Sequence, residues 1–100
     1  MNEYQILEGN LKIKKYHLQQ VHQQHLLDSD AIMYNRSWDW LYPVLLLIEK
    51  QGYTVNMGPT SCQIKDGEEL ITTRNLQDGR LAGTWQAVID FIDFYKTQTQ

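Results

Sequence analysis

Ser37-Trp38-Asp39-Trp40-Leu41-Tyr42-Pro43-Val44 reads as the start of an amphipathic helix. Ser37 is a good N-cap, because its hydroxyl can accept a hydrogen bond from a free backbone N–H of the first turn. Asp39 adds negative charge at the positive end of the helix dipole. Leu41, Val44, Leu45 and Ile48 follow at i, i+3, i+4 and i+7, the spacing of a buried stripe. The pattern predicts a helix over 38–50. Pro43 falls early in it and removes one donor. Gly52 ends it, at the position where a left-handed residue is favoured.

Downstream the period changes. Tyr53, Val55 and Met57 alternate with polar residues, which is the period of a strand. Gly58-Pro59 turns the chain, and Ser61-Cys62-Gln63-Ile64 returns. Lys65-Asp66-Gly67-Glu68 is a second turn around Asp-Gly, and Leu70-Ile71-Thr72-Thr73 is a third strand. Residues 75–80 form a loop with Asp78 as a candidate cap. A second helix is expected from about Gly79 or Arg80 to Lys96, with Leu81, Trp85, Val88, Ile89, Ile92 and Tyr95 on one face.

Upstream, Leu11 and Ile13 alternate with Lys12 and Lys14, as in a half-buried strand. Glu8-Gly9-Asn10 before them has turn chemistry. Residues 18–27 fit either a helix or a continued hairpin, and the turn-like Asp28-Ser29-Asp30 favours the hairpin. The expected fold is therefore α+β: one domain over 1–100, an antiparallel sheet of four to five strands with two amphipathic helices packed on it.

One hundred residues allow one domain. A chain of this length buries about two-thirds of the surface it exposes when unfolded, and 42% hydrophobic residues supply a core. The net charge of -3 does not advertise a nucleic-acid surface. Direct sequence-specific nucleic-acid binding is not expected. Cys62 is the sole cysteine, so no internal disulfide forms and a reducing compartment is the simplest reading. The first residues lack the basic and apolar regions of a secretory signal. The longest apolar run, 41–48, contains Pro43 and is too short to span a bilayer. A cytoplasmic protein, with no membrane partner, is the expectation.

Three segments together carry a family resemblance. Ser37-Trp38-Asp39-Trp40-Leu41-x-Pro43-Val44, then Ile48-Glu49-x-x-Gly52-Tyr53-x-Val55, then Trp85-Gln86-Ala87-Val88-x-x-Phe91-Ile92-x-x-Tyr95 resemble a group of small uncharacterised phage and prophage proteins described as phage ABA-sandwich-like. The similarity covers residues 31–96. It implies a fold and a mobile-element origin, and it brings no activity and no catalytic residues. Two departures stand out. Leu46 and Leu47 occupy positions where that pattern has a charged pair, and Asp93 stands where a basic residue is usual.

On a helical wheel Leu46 lies near Tyr42 and Leu47 near Trp40, on opposite flanks of the buried stripe. A two-layer fold does not bury every side of this helix, so apolar surface is left either for a further layer or for a partner. Trp38 and Trp40 are either interface anchors or caps on the core. Asp90 and Asp93 share an outward face of the second helix, as an acidic contact surface or as a solvated one. Trp40, Tyr42, Leu46, Leu47, Asp90 and Asp93 form the candidate partner-binding set.

Lys12, Lys14, Lys15, Tyr16 and His17 read as a basic, aromatic-tipped edge strand. Lys12, Lys14, Tyr16 and Arg36 make an alternative set for a small ligand such as a nucleotide signal. His17, His22 and His25 suggest a metal, but around His22 and His25, one turn apart in a helix, the segment offers no third or fourth zinc ligand at a sensible spacing, so solvated histidines are expected, with no metal and no cofactor. Cys62 has no basic neighbour in sequence to lower its pKa. The sequence carries no Walker loop, GxSxG or HExxH motif. The expected function is a non-enzymatic, phage-type binding protein that docks on a host protein or ribonucleoprotein, as an anti-CRISPR inhibitor does. The same leftover surface would also serve a homodimer.

Overall fold

The structure, a computed structural model, describes residues 3–20, 33–77 and 79–98. Helix α1 spans Glu3–Gln20 and α2 spans Trp38–Lys50. Strands β1 (Thr54–Met57), β2 (Ser61–Asp66) and β3 (Glu69–Asn75) follow, and α3 spans Arg80–Gln98. The fold is α+β, with three helices and a three-stranded antiparallel sheet in the order β1-β2-β3 among the described residues. This corrects the expected two helices and four to five strands.

The difference lies in α1. The segment 11–17 is helical, not a strand, and Glu8-Gly9-Asn10 is helix interior, not a turn. The inward face of α1 is Ile6, Gly9, Asn10, Ile13, Tyr16 and His17, at helical spacing. Three members of that face, Gly9, Asn10 and His17, are small or polar, so the hydrophobic period is interrupted there. Leu11, which supported the alternating reading, points to solvent. Residues 18–20 continue the helix, while 21–32, including His22, His25 and the expected turn at 28–30, lie outside the described residues.

Gly9 has a packing reason. A Cβ there would sit 2.5 Å from Trp85 Cζ2 and 2.6 Å from Ile89 Cδ1. The missing side chain lets α1 close onto α3, and Trp85 Nε1 donates to Asn10 Oδ1 at 2.8 Å beside it.

Helix α2 forms where its stripe predicts, with Leu41, Val44, Leu45 and Ile48 buried. Ser37 takes the extended N-cap backbone, and its carbonyl accepts from the Trp40 and Leu41 amides at 3.2 and 3.1 Å. Its hydroxyl makes no capping bond, contrary to expectation. At the other end Gly52, at φ +102°, donates to the Glu49 carbonyl, closing the helix with a left-handed residue.

The two hairpins match the turn chemistry. Gly67 adopts φ +63° in the tight loop after Asp66, which pairs with Glu69. The register slips between Ile64 and Lys65, whose partners are Thr72 and Leu70, leaving Ile71 as the extra residue of a bulge. Cys62 and Ile64 point from β2 into the core. Helix α3 lies on that face of the sheet and also meets α1 and α2. That central position buries Trp85, Ala87, Val88, Phe91 and Ile92 around much of its circumference. Tyr16, Tyr53 and Tyr95 ring Phe91, with centroids 4.8–5.9 Å away.

Candidate functional site

Among the described residues, two apolar stripes on helices remain outside the core. On α2, Trp38, Tyr42 and Leu46 recur at i, i+4 and i+8 and are exposed, Tyr42 at 55% and Leu46 at 48%. The helical period rotates this row away from Leu41, Val44 and Ile48. Asp39, Glu49 and Lys50, all exposed, lie beside it, Lys50 as the next i+4 position of the row. The stripe is thus apolar with a charged border of two carboxylates and one ammonium. On α1 a second row is formed by Tyr4, Leu7 and Leu11.

The other members of the expected partner-binding set are placed differently. Trp40 is half-buried, edge-on to the buried Tyr34 ring at 5.3 Å, and Leu47 is half-buried. Both belong to the seam around α2 and not to its outer row. Asp90 does not face solvent freely. Its carboxylate accepts from Thr72 Oγ1 at 2.8 Å and from Nε and Nη2 of Arg74, a two-pronged grip that ties α3 to β3. The Asp90 bond holds the Arg74 guanidinium above its usual pKa. Asp93 is exposed and meets Lys12 Nζ at 3.3 Å. Both carboxylates of the acidic face of α3 are therefore engaged in pairs within the protein.

The alternative ligand set does not converge. Tyr16 is buried, and burial raises its phenol well above the ordinary value. Lys12 is spent on Asp93, and Lys14 lies half-buried on the same helix. Arg36 lines a hollow of about 350 Å³ with Glu3, Leu7 and Asn35. A larger trough of about 760 Å³ adjoins it through Ile6 and Asn35, and is bordered by Arg74, Asn75, Trp85 and Gln86. Below it Asn10 receives the Trp85 N–H and donates to Asn35 Oδ1 at 2.8 Å. The trough is lined by amides, an indole edge and the Arg74 guanidinium that Asp90 grips, and its described lining carries no carboxylate, imidazole or thiol. It can recognise by shape and hydrogen bonding.

His17 is not a solvated histidine. It is half-buried, its Nδ1 lies 2.9 Å from the Tyr34 hydroxyl, and burial lowers its pKa. The same burial pushes the Tyr34 phenol up to about 12. Cys62 is fully buried against the sheet, and burial raises its thiol, so it is a poor nucleophile. Among the described residues no three His, Cys, Asp or Glu side chains gather where they could hold a metal ion. Nor is any described helix long and apolar enough to cross a membrane.

No family model, curated protein sequence or solved structure matches this chain.

The outer stripe of α2 was legible in part, since Tyr42 and Leu46 follow from the helical wheel. The trough was not, because its walls come from both ends of the chain. The exposed row on α1 was hidden by reading 11–17 as a strand.

Proposed function

We propose that the protein is a non-enzymatic binding protein that docks another macromolecule through the outer stripe of α2. The observation that carries this reading is the exposed row Trp38, Tyr42 and Leu46, bordered by Asp39, Glu49 and Lys50. Solvent-facing tryptophan and tyrosine in a contiguous row are characteristic of binding anchors. The two carboxylates, against the single ammonium of Lys50, favour an apolar groove whose rim carries basic groups. A host defence protein with a basic channel is one such partner, and an anti-CRISPR-like inhibitor is the corresponding role for the phage-type protein that the sequence resembles.

The test is capture of partners from host lysate by the tagged full chain, beside the Tyr42→Ala/Leu46→Ala variant. Both side chains are exposed, so circular dichroism is expected to show an unchanged fold. Loss of hot-spot anchors costs about 2 kcal/mol, or about a 30-fold drop in affinity. A partner retained equally by both proteins would contradict the α2 surface.

A second reading has one observation behind it. The trough beside Trp85 presents Asn35, Asn75, Gln86 and Arg74, which suits a small ligand rich in hydrogen-bonding groups, such as a nucleotide. A thermal-shift panel of nucleotides tests it. A rise in melting temperature that disappears in Arg74→Ala supports the trough, and a flat panel removes it.

A further inference from the structure

Helix α1 carries an exposed apolar row, formed among the described residues by Tyr4, Leu7 and Leu11. Tyr4, Leu7 and Leu11 are 73%, 52% and 48% exposed. They recur at i, i+3 and i+7, the a and d positions of a heptad, and Lys14 continues the series, while Leu18, the position after it, packs against the core. At 100° per residue this row lies on the side of the helix away from Ile6, Gly9, Ile13 and Tyr16, which face the protein. Packing on α3 and α2 therefore does not consume it.

The charges flanking the row are divided along the helix. Glu3 and Glu8 are exposed in the N-terminal half, and Lys14 and Lys15 lie in the C-terminal half. Lys12, the third lysine, is turned toward α3 and pairs with Asp93. A helix that is acidic at one end and basic at the other is complementary to a reversed copy of itself. A parallel copy would set like charges side by side.

We propose that α1 is a self-association surface, on which two copies of this chain pair antiparallel about a two-fold axis. The axis passes at the level of Gly9, so residue i of one helix faces residue 18 − i of the other. Leu7 of each copy then meets Leu11 of the other. Tyr4 meets the alkyl stem of Lys14, whose ammonium lies near Glu3 of the other copy. A contact of this kind is isologous and closes on itself, which limits the assembly to a dimer. The second copy is the occupant favoured over a foreign partner, because the apolar row and the charges are both self-complementary about one axis.

Sedimentation of the full chain over a concentration series tests the proposal. The wild type is expected to approach twice the 11.8 kDa chain mass, and Leu7→Ser/Leu11→Ser to remain at the chain mass with an unchanged circular dichroism spectrum. Charge reversal separates this pairing from any other dimer. Glu3→Lys/Glu8→Lys makes the flanks of the row wholly basic, and Lys14→Glu/Lys15→Glu makes them wholly acidic. Each variant alone is expected to be monomeric, and an equimolar mixture is expected to dimerise. A wild type that stays monomeric at every soluble concentration would overturn the proposal. So would a dimer that survives Leu7→Ser/Leu11→Ser, or variants whose mixture behaves like each alone.

Discussion

The indole N–H of Trp85 donates to Asn10 Oδ1 at 2.8 Å, joining two residues 75 positions apart in a buried contact. The bond exists because Gly9 lets α1 reach α3. Asn10→Leu removes the acceptor and leaves a buried donor unpaired, which costs about 1–3 kcal/mol. Gly9→Ala gains helix propensity, worth about 1 kcal/mol, yet drives a methyl into Trp85 and Ile89. Overpacking of that kind costs about 1–3 kcal/mol, so net destabilisation is expected. Urea unfolding of both variants measures this, and a more stable Gly9→Ala protein would contradict the close approach.

Asp90→Asn weakens the tie between α3 and β3. The pair with Arg74 is partly exposed, so its loss is expected to cost about 1 kcal/mol and not the several of a buried pair. Salt screens exposed charges. The gap in urea midpoint between wild type and variant should shrink at molar salt, and a gap that grows would speak against the assignment.

His17 confers a pH dependence of definite sign. Burial holds its folded pKa below the unfolded value of about 6.5. Between the two values the unfolded chain binds the proton and the native protein does not. Stability is therefore full above about pH 6.5 and declines as pH falls below it. His17→Gln retains a polar partner for the Tyr34 hydroxyl and abolishes the titration. Melting curves across pH 5–8 are expected to show a shallower decline for the variant, and parallel declines would exclude His17 as the source.

Ser37→Ala is expected to cost less than the roughly 1 kcal/mol of a working side-chain cap, since the Ser37 hydroxyl makes no capping bond. A loss near 2 kcal/mol in urea unfolding would show that the hydroxyl does cap α2 in solution.

These residues also show where sequence reading stops. Leu41, Val44, Leu45 and Ile48 announce α2 because the whole inward face is aliphatic. The strands announce themselves by alternation and by the Asp66-Gly67 turn. In α1 the inward face includes Gly9 and Asn10, chosen for close approach and for a bond to Trp85, while Leu7 and Leu11 face outward. Its hydrophobic period therefore points to the wrong side. Asp90 reads as outward on its own helix, because nothing near it in sequence reveals that Thr72 and Arg74 of β3 lie beside it. Tyr42 and Leu46 were readable because their exposure follows from the stripe of their own helix.

Site-specific photo-crosslinking tests the α2 surface most directly. A benzophenone side chain placed at position 42, and separately at the exposed position 73 of β3, is activated in the presence of host lysate. The expected result is one adduct of defined mass from position 42 that is absent from position 73. An adduct from position 73 with none from position 42 would place the partner on the sheet and contradict docking through α2.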